Sequence, residues 1–140
     1  MKISRLAVVV SHPIQHFCPQ YTSWAKLPNV DLKVFFASKH GLLPYKDKDF
    51  DRVVQWTGIS LDFPYIFLPG AEKNEINTSI DSTELNEQLA VFSPDVVLVY
   101  GYSQKLQKRA LWWANFKKLP IIMISDSELH VKRGWFKQLV

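Results

Sequence analysis

Five apolar residues in a row, Leu6-Ala7-Val8-Val9-Val10, empty abruptly into the segment Ser11-His12-Pro13-Ile14-Gln15-His16-Phe17. A run without alternation suits a strand buried on both faces, as in a parallel sheet. The spacing of Ile14, Phe17, Cys18, Tyr21, Trp24 and Ala25 then predicts an amphipathic helix over residues 13–26. Ser11 or His12 is placed to cap it, and Pro13 suits a first turn that needs no backbone donor. Two histidines and a glutamine therefore stand where a central strand gives way to a helix. Open α/β sheets bind ligands at that edge.

Further strand-and-helix units follow. Residues 32–37 read as a second buried strand, 64–68 as a third, 96–100 as a fourth and 120–124 as a fifth. Between the second and third, His40-Gly41 and Lys46-Asp47-Lys48-Asp49 read as an exposed loop, and Val53-Val54-Gln55-Trp56 as a short strand or packed segment. Glu72 to Asn77 is a polar stretch. Asp81-Ser82-Thr83-Glu84 has the spacing of a capping box ahead of a helix with Leu85, Leu89 and Phe92 on one face. Leu106, Ala110, Trp113 and Ala114 mark another helix, and a last one is expected over residues 131–139. Strands alternating with helices of this length predict an α/β fold: a Rossmann-like open parallel sheet, right-handed in its crossovers, with helices on both faces.

Composition narrows the class. The 140 residues suit one domain with a real core, and 14% aromatic content excludes a disordered chain. A formal charge of +4 favours anionic partners only weakly, and no nucleic-acid recognition pattern accompanies it. The lone cysteine, Cys18, excludes an internal disulfide and any multi-cysteine metal site, and its place on the apolar helix face predicts a buried, inert thiol. Leu6 to Val10 is too short for a signal-peptide core, and no apolar stretch approaches a membrane span, so a cytoplasmic location is expected. Leu139-Val140 reads as a cut, with more chain expected beyond it.

Three strand outlets concentrate polar groups: Ser11-His12 with Gln15-His16, Gly101-Tyr102-Ser103-Gln104, and Asp126-Ser127-Glu128 with His130. In a parallel sheet all three emerge on one edge. Ser11 and Asp126 could serve only as helix caps, but the combined set of His, Gln, Tyr, Asp and Glu exceeds what capping needs. His12 and His16, one helical turn apart, could hold zinc with Asp126 or Glu128, yet no metalloprotease glutamate lies between them. Hydrogen bonding to sugar hydroxyls or a phosphate is the favoured use. The glycine fingerprint of dinucleotide binding, the P-loop and the nucleophile elbow are all missing. Lys105, Lys108, Arg109, Lys117 and Lys118 interleave with Trp112 and Trp113, and Lys132, Arg133 and Lys137 lie beside Trp135 and Phe136. Such segments can dock on an anionic membrane. The plainer alternative is a solvated helix face with its aromatics in the core.

The stretch Val10-Ser11-His12-Pro13-Ile14-Gln15-His16-Phe17, with Pro19 and Tyr21, resembles the opening of a group of bacterial family 4 glycosyltransferases. The resemblance continues through Gly41, Phe50, Val54-Gln55-Trp56, Pro64-Tyr65 and Phe67-Leu68-Pro69. It runs on through Pro94-Asp95-Val96-Val97-Leu98-Val99-Tyr100-Gly101-Tyr102 and reaches Asp126-Ser127. It implies the N-terminal, acceptor-side half of a GT-B fold, in which a C-terminal domain grips a nucleotide-sugar donor. The implied reaction is sugar transfer with retention, without a metal or other cofactor, in surface polysaccharide assembly. By position, Ser11, His12, Gln15 and His16 would line the cleft, Tyr102 and Ser103 would shape the acceptor site, and Asp126, with Ser127, would provide polar support at the reacting sugar. Relatives often carry an arginine and a glycine before that aspartate, where Ile124 and Ser125 stand here, and His16 replaces the commoner tyrosine. Implied partners are the donor, a glycan or lipid-linked acceptor and the missing second domain; isolated activity is not expected. A GT-B sugar epimerase half-domain and a non-catalytic flavodoxin-like binding module remain as alternatives.

Overall fold

The computed structural model describes residues 2–42, 45–47, 52–54, 59–73 and 77–125. Its main sheet has five strands: β1 (Ser4–Val10), β2 (Val30–Phe36), β5 (Tyr65–Phe67), β6 (Val96–Tyr100) and β7 (Ile121–Ile124). Their spatial order is β5-β2-β1-β6-β7, and every pairing is parallel. Two further short strands, β3 (Tyr45–Asp47) and β4 (Arg52–Val54), form a separate antiparallel pair. Lys46 and Asp47 are therefore strand residues, where an open loop was expected; Lys48, Asp49, Gln55 and Trp56 lie outside the described residues.

The helices are α1 (Cys18–Ala25), α2 (Leu85–Phe92) and α3 (Lys105–Phe116). Alternate side chains of the central strands feed two apolar clusters. Val8, Val10, Leu32, Val34 and Leu98 pack with Cys18 and Tyr21 of α1. Ala7, Val9, Phe35, Val97 and Val99 pack with Leu85 and Leu89 of α2 and with Leu106, Ala110 and Ala114 of α3. The sheet is therefore covered on both faces, which is why β1 and β6 tolerate no polar residue in their centres. The chain moves outward one way through α1 and the other way through α3, with the helices on opposite faces, so both crossovers have the same hand. The reversal point lies between β1 and β6.

α1 begins at Cys18, not Pro13. The Ile14 carbonyl accepts from the N–H groups of Phe17 and Cys18, at 2.9 and 3.2 Å, which closes a turn ahead of the helix. Pro19 then occupies the first turn. The chain at Ser11 is tied to the outlet of β2 and winds only beyond that turn. The capping box at Asp81 does not form either: Glu84 is the N-terminal boundary residue of α2 and makes no side-chain cap. Asp81 instead accepts a two-pronged ion pair from Arg109 of α3, at 2.7 and 2.6 Å. A guanidinium fork satisfies both carboxylate oxygens, whereas the helix amides would satisfy fewer.

Candidate functional site

The parallel register aligns the strand outlets. Val10 pairs with Phe36, Phe36 with Phe67 and Tyr100 with Ile124, while Val9 pairs with Val99. The segments that follow β1, β2, β5 and β6 thus leave one edge, and the crevice at the reversal point opens between residues 11–17 and 101–104. Open parallel sheets bind ligands at such a reversal point.

On the β1 side, Ser11 is buried at the strand end, and its carbonyl accepts from the Ala37 N–H at 3.1 Å. Its hydroxyl lies 2.7 Å from His12 Nδ1 in a hydrogen bond. The half-buried His12 ring meets the His40 ring edge-on, with centroids 5.3 Å apart. Burial, reinforced by His40, lowers the His12 pKa to about 4, so the imidazole is neutral at physiological pH. His40 itself is buried, and its N–H donates to the Ser38 hydroxyl at 3.1 Å. The exposed loop expected at His40-Gly41 is therefore part of the interior wall.

Gln15 and His16 lie exposed on the turn before α1. His16 packs against Phe17, with ring centroids 4.3 Å apart, and Phe17 stacks on Tyr100 at the end of β6, at 4.8 Å and 11°. The Tyr21 hydroxyl donates to the Tyr100 hydroxyl at 2.7 Å. These contacts join α1 and the turn before it to the end of β6. Since His12 precedes the helix, His12 and His16 do not share a helical face, and the zinc spacing is not realised. Among the described residues, no three His, Cys, Asp or Glu side chains are grouped to hold a metal ion. Cys18 is buried, and desolvation pushes its thiol up to about 11, in keeping with an inert side chain.

On the β6 side, Gly101 turns the chain with φ +79°, a conformation that favours glycine. Half-buried Tyr102 and exposed Ser103 follow it. Buried Gln107, on the first turn of α3, holds this loop: its side-chain amide donates to the Tyr100 carbonyl, and its Oε1 accepts from the Gln104 N–H at 3.0 Å. Asp126 and Ser127, with Glu128 and His130, lie outside the described residues. The strand that leads to them, β7, ends at Ile124 on the same edge.

The sequence reading missed His40, Tyr100 and Gln107. A local pattern announces none of them; the one available hint was a glutamine three residues after Gln104 at a helix start. A further polar cavity of about 420 Å³ opens beyond β2 and β5, lined among others by Lys73, Ser79, Ser82 and Thr83. It does not include His12 or Tyr102; of its lining, Ser82 and Thr83 belong to the segment expected to form a capping box. Comparison with protein-family models and with curated proteins returns no match.

Proposed function

We propose that this chain is the acceptor-side domain of a retaining glycosyltransferase, acting on a nucleotide-sugar donor and a glycan or lipid-linked acceptor in surface polysaccharide assembly. The observation that carries the reading is the neutral His12, tethered by Ser11, at the crevice between the ends of β1 and β6. With Nδ1 engaged by Ser11, the neutral ring offers a sugar hydroxyl its Nε2, as donor or acceptor according to the tautomer. Glycosyl transfer builds positive charge on the sugar and negative charge on the departing phosphate, so the enzyme must place hydrogen-bond donors near the phosphate and orient the acceptor hydroxyl towards the sugar. Ser11, His12, Gln15 and His16 on one wall and Tyr102 and Ser103 on the other supply hydroxyl-matching groups. Asp126 supports the reacting centre in this reading, with Ser127 beside it, and a second domain of the same fold grips the donor. Nucleotide-sugar chemistry places the reaction in the cytoplasm.

The test is ligand-observed NMR with a panel of nucleotide-sugars and free oligosaccharides, on the wild type and on His12→Ala and Tyr102→Ala. At least one saccharide should bind the wild type, and each substitution should weaken that binding about tenfold, the loss of one or two hydrogen bonds. A panel with no binder, or a binder indifferent to both substitutions, rules the reading out.

A further inference from the structure

We propose that the outer face of α3 docks on an anionic membrane surface, with Trp112 and Phe116 among the lipid headgroups and Lys105, Lys108 and Lys117 against their phosphates. The burial pattern settles which way the helix is turned. Leu106, Gln107, Ala110 and Ala114 are buried, and Trp113 packs against the core cluster. The opposite stripe runs Lys105, Lys108, Trp112 and Phe116, in steps of one turn. Trp112 and Phe116 are each 79% exposed. Neither ring packs against the core clusters of the described residues.

Charge identifies the occupant. The segment from Lys105 to Lys118 contains five basic residues and no acidic one. Arg109 is neutralised by Asp81, the acidic residue lining the groove of about 730 Å³ beside this face. Among the described residues, Lys108 and Lys117 form no salt bridge, and Lys105 only adds its charge to that of Arg109 near Asp81, so the face stays net positive towards an external anion. Lys117 Nζ lies 5.8 Å from the Phe116 ring centroid, a cation beside an aromatic. Tryptophan and phenylalanine flanked by long, flexible lysines suit a headgroup layer, where rings sit at the apolar boundary and ammonium groups reach phosphate. Trp112, Phe116 and the three lysines themselves line that groove, so apolar rings and ammonium groups share one open surface that can lie against a headgroup layer. No helix among the described residues is long and apolar enough to cross a membrane, so the attachment is peripheral. The proposal is independent of the glycosyltransferase reading.

Sedimentation of the 140-residue chain with sucrose-loaded vesicles tests it, comparing pure phosphatidylcholine with a mixture one-third phosphatidylglycerol. The chain should pellet with the mixed vesicles and not with the neutral ones, and added salt should release it. Trp112→Ser with Phe116→Ser should lower partitioning about tenfold or more. The urea midpoint should hold, because both side chains are exposed. Exchanging Lys105, Lys108 and Lys117 for glutamine should weaken binding and flatten the salt dependence. Failure to pellet with the mixed vesicles, equal pelleting with neutral ones, or indifference to the aromatic substitutions overturns the proposal. So does a concentration-dependent dimer abolished by the same substitutions, which would make a second copy the occupant.

Discussion

At the scale of single residues, His12 is the side chain on which most depends. Its folded pKa of about 4 lies below the ordinary 6.5 because burial, and then His40, disfavour the imidazolium. Between those two values the unfolded chain takes up a proton that the folded chain refuses. The stability from keeping His12 neutral is therefore complete above pH 6.5 and is lost as the pH falls towards 4. The loss should reach about 2 kcal/mol at pH 5, read as the difference between urea unfolding curves at pH 7 and pH 5. His12→Gln, which keeps a neutral polar group, should make that difference clearly smaller. An equal acid loss in the variant would assign the effect to other groups. The position of His12 at a strand outlet was legible in the sequence, because the apolar run ends at Val10. The means of its neutrality was not, since His40 is brought against it only by the pairing of β1 with β2.

At the scale of elements, the ties between helices and strands divide into those the sequence announces and those it conceals. β6 was legible to the residue, because Val96–Tyr100 is an unbroken apolar run between Asp95 and Gly101. The inward face of α3 was legible from the spacing of Leu106, Ala110 and Ala114. The start of α1 was not, because Pro13 suits a first turn as well as Pro19 does, and only the tie of Ser11 to Ala37 decides between them. Asp81 was misread for a related reason: an aspartate three residues before a glutamate has the composition of a cap whether or not an arginine arrives from elsewhere. Arg109 does arrive, and the bidentate pair joins α3 to the segment before α2 with both side chains mostly shielded from solvent. The guanidinium holds the Asp81 carboxyl below its usual range. A double-mutant cycle of Asp81→Asn and Arg109→Met should give a coupling of about 1–2 kcal/mol, between an exposed pair and a buried one. A coupling near zero would mean that the two helices are positioned by their apolar contacts alone.

At the scale of the whole molecule, the parallel sheet sets both the location of the crevice and the distribution of stability. β1 lies between β2 and β6, and Ala7, Val8 and Val9 are fully buried within clusters that face opposite helix layers. Opening β1 would break hydrogen-bonded ladders on both sides and expose both clusters, so its amides should exchange only through global unfolding. β7 is the other extreme. Its described partner is β6 alone, and Ile121, Ile122, Met123 and Ile124 are each between 37 and 46% exposed. A strand with one ladder and half-solvated side chains opens at little cost. Hydrogen exchange followed by NMR should therefore show the amides of Val8 and Val9 exchanging at least about a hundredfold more slowly than those of Met123 and Ile124, an opening difference of roughly 3 kcal/mol. The crevice lies between these extremes, with one wall rooted in the most protected strand and the other following β6. Ser11 and His12 should thus stay in place while β7 opens and closes. Equal protection of β1 and β7 would mean that β7 carries a second partner along its outer edge, and that the sheet is wider than five strands.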